Sequence, residues 1–216
     1  RPEIGAAHLP DGGAFYQHRI QYFTSLPLTA EEVHATGQAE VKRIRAEMDE
    51  VMQAVHFDGN LQAFFEYLRT DPRFYVAVPA ALLKETAYVL KRMDGELPRL
   101  FKTLPRTPYG IREIPAASAP GNTTAFYFPP TGDGRSAGFY YVNTYDLKSR
   151  PLYEIEALSL HEAVPGHHLQ IAMQQELDLP NFRRFGGFTA VVEGCTLNGW
   201  GLRPAFTPTR TATLAV

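Results

Sequence analysis

The chain has 216 residues, of which 44% are hydrophobic and 20% are charged, and its formal net charge is −2. This composition suits a protein with a buried core and excludes a strongly basic surface for nucleic acid or anionic lipid. No apolar run approaches the ~20 residues of a membrane-spanning helix, and the single cysteine, Cys195, excludes an internal disulfide framework. The compartment and the oligomeric state stay open.

Helices are predicted for most of residues 1–104, which we interpret as a helical scaffold. Thr29 and Glu32 have the spacing of a capping box, which begins a long helix that ends near Asp58. A second helix is predicted for residues 61–69, and a third begins after Pro79. Residues 1–28 are predicted to form loop or short turns.

The next segment is rich in proline and carries two short aromatic runs, at residues 124–128 and 138–142. A turn-rich stretch separates them, which predicts a β-hairpin or a pair of edge strands. Helices are predicted again for residues 152–177 and from Phe188 to about Gly199. The expected fold is therefore mainly α-helical, with a small hairpin or edge sheet near the helix at residues 160–170.

Three histidines and a glutamate lie within eight consecutive positions of that helix: His161, Glu162, His167 and His168. Imidazole is a common zinc ligand, and a neighbouring carboxylate can act on a metal-bound water. In the familiar H-E-x-x-H motif the two histidines lie one helical turn apart. Pro165 stands where the second histidine would be, so that simple motif is absent.

Either later histidine is a candidate for the second metal ligand. On an ideal helix His168 returns to nearly the same face as His161, but seven residues rise by about 10 Å, a long distance for two ligands of one ion. Proline and glycine at positions 165 and 166 permit a bulge that would bring His167 beside His161. We therefore favour His167, keep His168 as the alternative, and expect His168 otherwise to support the ligands or face the substrate.

A catalytic zinc site usually has a third protein ligand, and Glu193 is the best candidate. It follows an apolar run in which an unpaired buried carboxylate would be costly, so a metal partner would explain it. The alternative partner for Glu193 is Arg183 or Arg184, in an ordinary ion pair.

Four segments of the chain resemble the bacterial "domain of unknown function 885" family. They are Asn143–Leu147 with Arg150-Pro151, residues 160–170, residues 179–185, and Val192-Glu193-Gly194. The family is helix-rich, and the resemblance implies a zincin-like, zinc-dependent peptidase or carboxypeptidase. Its motif is similar in arrangement to those of the thimet oligopeptidase and carboxypeptidase Taq groups. In these groups a glycine also precedes the second ligand histidine, as Gly166 precedes His167.

The resemblance also implies a role for each metal-site residue. His161, His167 and Glu193 would bind one divalent ion, expected to be zinc, and Glu162 would be the general base.

Further roles concern a peptide or small amide substrate. The strand at residues 138–142 would pair with the substrate backbone as an edge strand, and Tyr140 or Tyr141 would stabilise the oxyanion. His168 and Arg183 are candidate substrate-binding residues.

Residues 105–194 are thus interpreted as the metal-site catalytic core and residues 195–216 as an atypical tail. The tail lacks helical periodicity and departs from the family pattern, which predicts a truncated or frameshifted product. The expected function is hydrolysis of peptide bonds by a zinc metallohydrolase. The alternatives are a catalytically inactive metal-binding fragment and a hydrolase of non-peptide amides or esters.

Overall fold

The structure, a computed structural model, describes Gly5 and residues 8–194. The helices are α1 (Gly12–Thr24), α2 (Ala30–Ala54), α3 (Leu61–Thr70), α4 (Pro79–Leu100), α5 (Leu152–Glu162), α6 (His167–Glu176) and α7 (Asn181–Arg184). The strands are β1 (Tyr109–Glu113), β2 (Ala125–Phe128) and β3 (Gly138–Val142). A further helical segment covers residues 189–194. The predicted tail at 195–216, and the end of the helix predicted from residue 188, lie outside the described residues.

The described residues divide between two compact units, one up to residue 64 with residues 188–191, the other comprising residues 65–187 with 192–194. In the first unit, the predicted capping box at the start of α2 is confirmed. The Glu32 N–H donates to Thr29 Oγ1 at 3.2 Å, and the Thr29 N–H donates to Glu32 Oε2 at 2.8 Å. Although α2 is 25 residues long, Met52 is its one buried residue.

Helix α1 corrects the prediction of loop or short turns for residues 1–28. Its aromatic residues give no one-sided pattern from which a helix could be recognised, and four of them are at least 44% exposed, namely Phe15, Tyr16, Tyr22 and Phe23. The two glycines at its start occupy the first turn, where the backbone N–H groups have no partner within the helix. Glycine therefore costs less there than it would in the middle of the helix.

The second unit contains a three-stranded sheet in the order β1-β3-β2, in which β3 is parallel to β1 and antiparallel to β2. The predicted mainly α fold with a small sheet is confirmed, and so is the pairing of the two aromatic runs. The prediction that residues 138–142 form an edge strand is wrong, because β3 lies between the other two. The neighbour of β3 that the sequence did not predict is β1. This strand has only five residues, and the prolines around it obscure its strand pattern in the sequence.

One face of the sheet packs against helices α4 and α5. On β3, Gly138, Tyr140 and Val142 are buried, while the residues between them are partly exposed. A first core cluster joins Tyr140 and Val142 to α4 and α5, and a second joins the end of α4 to Leu160 and Leu169. This packing fixes the last turn of α5, which carries the histidine–glutamate pair.

No helix among the described residues is both long and apolar enough to cross a membrane.

Candidate metal centre

The single helix predicted for residues 152–177 is in fact two helices, because α5 ends at Glu162 and α6 begins at His167. Pro165 has no N–H to continue the helical hydrogen bonds. A Cβ at position 166 would overlap the main-chain carbonyl oxygens of His161 and Leu160, so the chain can fold back onto the last turn of α5 only because this residue is glycine. The break takes the place of the predicted bulge.

This break brings together the residues that the sequence singled out. Donor atoms of His161, Glu162 and His167 all lie within 4.8 Å of one another. The two imidazole rings are 4.6 Å apart between centroids and nearly perpendicular. Glu193 joins them from the helical segment at residues 189–194, with its Oε2 3.6 Å from His161 Nε2 and 3.9 Å from His167 Nε2.

The electrostatics of the cluster favour neutral imidazoles and a carboxyl group that titrates near neutrality. Burial, and after it the charge of Glu193, raises the pKa of Glu162 to about 7, although the Tyr127 backbone N–H hydrogen bond opposes this. Burial lowers the pKa of both histidines, and Glu193 opposes the shift in each case. Neutral imidazole is the form that binds a metal ion.

The donor set fits a catalytic zinc ion, which is typically held by three protein ligands such as two imidazoles and a carboxylate. His167 Nδ1 is buried and has no hydrogen-bond partner among residues 8–194. The Nε2 atoms of both histidines face the Glu193 carboxylate, so these are the nitrogens placed to share one ion with it. The Glu193 side chain is 47% exposed, against 17% for His161 and 13% for His167, so the carboxylate is the most accessible of the three ligand candidates.

His168 lies outside this cluster although it is the next residue after His167. It is 2% exposed, and its Nδ1 is 2.8 Å from the Tyr127 hydroxyl. Burial lowers its pKa to about 4, although a hydrogen bond to the Thr107 backbone opposes the shift. Its ring packs against Tyr109 at 4.8 Å between centroids. For His168 to face a substrate, these aromatic side chains would have to move.

The two candidate tyrosines lie on opposite faces of the sheet. Tyr140 is 2% exposed on the core face, where burial, and after it the charge of Glu162, raises the pKa of its hydroxyl. Tyr141 lies on the other face, stacked on Phe126 with ring centroids 4.9 Å apart. Tyr140 is thus the one close enough to Glu162 to be affected by its charge.

The arginines proposed as alternative partners for Glu193 lie in α7. Arg183 is exposed, and its carbonyl oxygen accepts a hydrogen bond from the Gln174 amide. The Arg184 guanidinium donates to the Gln175 carbonyl oxygen at 2.6 Å. The Glu193 carboxylate faces the two histidines instead.

Tyr127 is the residue at this site that sequence reasoning missed. Its backbone N–H donates to the Glu162 carboxylate, and its hydroxyl contacts His168. The contact with Glu162 is made through the main chain, so the residue type gives no signal of it. Its place in an aromatic run indicates only a strand.

Comparison with known proteins shows what the chain as a whole is similar to. A family model described as "Bacterial protein of unknown function (DUF885)" matches residues 1–202, and no curated protein matches the chain. A crystal structure described as "the putative lipoprotein from Colwellia psychrerythraea" is similar, with a TM-score of 0.92 and 27% sequence identity. The match covers 100% of this chain and 38% of the Colwellia chain, so this chain spans well under half the length of that protein.

Proposed function

The chain belongs to the DUF885 family of bacterial proteins, and we propose that its histidine–glutamate cluster is the metal centre of a zinc-dependent hydrolase of peptide bonds. One observation carries the proposal: donor atoms of His161, Glu162 and His167 converge within 4.8 Å, and the Glu193 carboxylate lies beside both imidazoles. Because the chain folds back at a glycine, these groups lie side by side. They are residue types that hydrolytic metal sites use.

The ligands in this proposal are His161, His167 and Glu193. Two neutral imidazoles and one carboxylate form a donor set that leaves a coordination position for water or substrate. A bound zinc ion would supply a water of pKa near 7 and polarise the carbonyl group of the substrate.

Glu162 is the general base. In the proposal its carboxylate accepts a proton from the attacking water and then, as an acid, passes it to the leaving amine nitrogen. Its side chain is buried, which limits its contact with bulk solvent. The Tyr127 N–H holds one carboxylate oxygen, so the orientation of the base is fixed by the backbone of β2.

The substrate backbone pairs with β2 in our proposal, and not with β3, whose two edges are both occupied. The Asn143 N–H donates to the Thr124 carbonyl oxygen at 3.0 Å. Because bonded and non-bonded pairs alternate along antiparallel strands, the backbone groups of Ala125 and Tyr127 point away from β3. The Tyr127 N–H is held by Glu162, so a peptide would pair with the other groups of this edge. An extended peptide that adds to this edge would lie next to Glu162.

The proposal is tested by metal content and hydrolysis measured on the same preparation. We expect one zinc ion per chain, and cleavage of peptides that a chelator abolishes and zinc restores. Glu162→Gln should keep the zinc and lower kcat/KM by about 10²–10⁴-fold, whereas Glu31→Gln, on the exposed first turn of α2, should match the wild type.

The outcomes separate the alternatives. Peptides blocked at the amino or the carboxyl end would distinguish aminopeptidase from carboxypeptidase activity. Cleavage of amides or esters alone would redirect the proposal to non-peptide substrates. Bound zinc without chelator-sensitive hydrolysis of any of these would show a metal-binding protein that is not an enzyme.

A further inference from the structure

A hydrogen bond between two aromatic residues joins strand β2 to the first turn of α6. The Tyr127 hydroxyl lies 2.8 Å from His168 Nδ1, inside the protein. On its other side His168 packs against Tyr109, whose hydroxyl donates to Asp94 at 2.7 Å. His168 therefore cannot rotate without displacing a second anchored ring.

The sheet leaves room for this hydrogen bond at one position. A Cβ at position 138, on β3, would overlap the hydroxyl oxygen of Tyr127. Glycine at this position is thus required for the Tyr127 side chain to pass across β3 and reach His168. The hydrogen bond therefore needs both the glycine on β3 and the histidine on α6.

Tyr127 also contacts two residues of the proposed metal centre. Its backbone N–H donates to the Glu162 carboxylate. Its ring is nearly parallel to that of His167, with an interplanar angle of 18° and centroids 6.4 Å apart. One residue therefore touches the proposed base, a proposed ligand, and the residue that directly follows that ligand.

We propose that Tyr127 is a positioning residue, whose hydroxyl anchor on His168 fixes Glu162 and His167 relative to each other. The anchor restrains the first turn of α6, and with it His167, while the same residue's backbone restrains Glu162. This inference rests on the proposed function for the roles of Glu162 and His167. The anchor itself is a feature of the fold.

The first test removes the hydroxyl group alone. In Tyr127→Phe we expect the dissociation constant for zinc to rise on the order of tenfold, as happens when groups that orient metal ligands are changed. We expect kcat to fall about 10- to 100-fold with little change in KM, because the base and ligand are displaced while substrate contacts remain. Tyr88→Phe, on an exposed side chain of α4, should leave both values unchanged.

The second test keeps Tyr127 and fills the space that its hydroxyl group occupies. Gly138→Ala should raise the zinc dissociation constant, as Tyr127→Phe should. Gly95→Ala is the matched control, because a Cβ at position 95 meets nothing within 4 Å. If the anchor acts through His168, Tyr127→Phe should have no further effect in a His168→Leu background, so the two changes are not additive.

Wild-type zinc affinity and kcat in a folded Tyr127→Phe protein would overturn the inference, and thermal unfolding of each variant establishes that it is folded. Failure of the proposed function is distinguishable, because the wild type itself would then fail to hydrolyse peptides, whether or not it retains zinc. In that case nitrogen NMR of the histidine rings in the metal-free protein tests whether the anchor positions His167. Shifts of both the His167 and the His168 signals in Tyr127→Phe support the anchor, and a shift of His168 alone overturns it.

Discussion

Helix α2 and the broken pair α5–α6 are similar in length but differ in what they bury. Helix α2 begins at a capping box, runs for 25 residues and buries one of them. Helices α5 and α6 have no side-chain cap at their first residues, yet each buries four residues, among them Glu162 and His168. The difference teaches that local signals set the ends of a surface helix, whereas close backbone packing at the break assembles the site.

The sharpest test of this contrast is Gly166→Ala. The added Cβ would meet main-chain oxygens of α5, which cannot move as a flexible side chain would. We expect a loss of about 3 kcal/mol in the free energy of unfolding, near the upper end of what overpacking costs, together with a loss of zinc binding. Urea unfolding and zinc titration measure the two effects. Unchanged zinc affinity would show that the close approach at Gly166 does not set the site.

The second test uses the pH dependence of the metal-free protein. The pKa of Glu162 is raised from 4.5 to about 7 in the folded state, so the folded protein holds this proton to higher pH than the unfolded chain. The contribution of Glu162 to stability should therefore fall as pH rises from about 4.5 to 7 and then level off. Over this window Glu162→Gln should gain about 2–3 kcal/mol of stability relative to the wild type.

Three histidines act in the opposite direction, because the pKa values of His161, His167 and His168 are lowered and their stabilising effect is lost as pH falls below about 6.5. They are present in both proteins, so the difference between the two unfolding curves isolates Glu162. Chemical unfolding in a chelator between pH 5 and 8 provides the measurement. Two curves that stay parallel would mean that burial does not raise the pKa of Glu162.

A third test removes the capping box of α2. Thr29→Ala loses the hydrogen bond that the Glu32 N–H donates to Thr29 Oγ1, so we expect about 1 kcal/mol less stability. Zinc affinity should not change. A change in zinc affinity would show that α2 is coupled to the metal centre, and the contrast between the two regions would fail.

The smallest expected effect is a gain from Gly37→Ala. Position 37 is exposed within α2, and a Cβ there meets nothing within 4 Å. Alanine should raise the free energy of unfolding by about 0.5–1 kcal/mol, because glycine is a poor helix former. The same substitution is therefore expected to have opposite signs at positions 37 and 166. Destabilisation by Gly37→Ala would contradict the description of α2 as a helix determined by local propensity.

The sequence predicted the features that depend on neighbouring residues. Thr29 and Glu32 signalled the start of α2 because a capping box needs only three residues of spacing, and the dense histidine cluster marked the region of the site. The break at Gly166 was recognised as a place where the helix must be distorted. Its form depends on carbonyl oxygens of α5, which residue types do not reveal.

The features that were missed depend on contacts between distant segments. Strand β1 exists because β3 offers an edge, so its own five residues carried little signal. Tyr127 was not recognised because its N–H, and not its side chain, reaches Glu162. The choice between His167 and His168 needed the fold as well, since only the structure shows that His168 points to Tyr127.

Anomalous diffraction at the zinc absorption edge, from crystals of the chain grown with zinc, tests the central claim most directly. We expect one strong peak about 2.0–2.2 Å from a nitrogen of His161, a nitrogen of His167 and a carboxylate oxygen of Glu193. Glu162 should lie beside the ion without binding it. A site free of any anomalous peak in zinc-saturated crystals, or a zinc ion held by His168 in place of His167, would contradict the account.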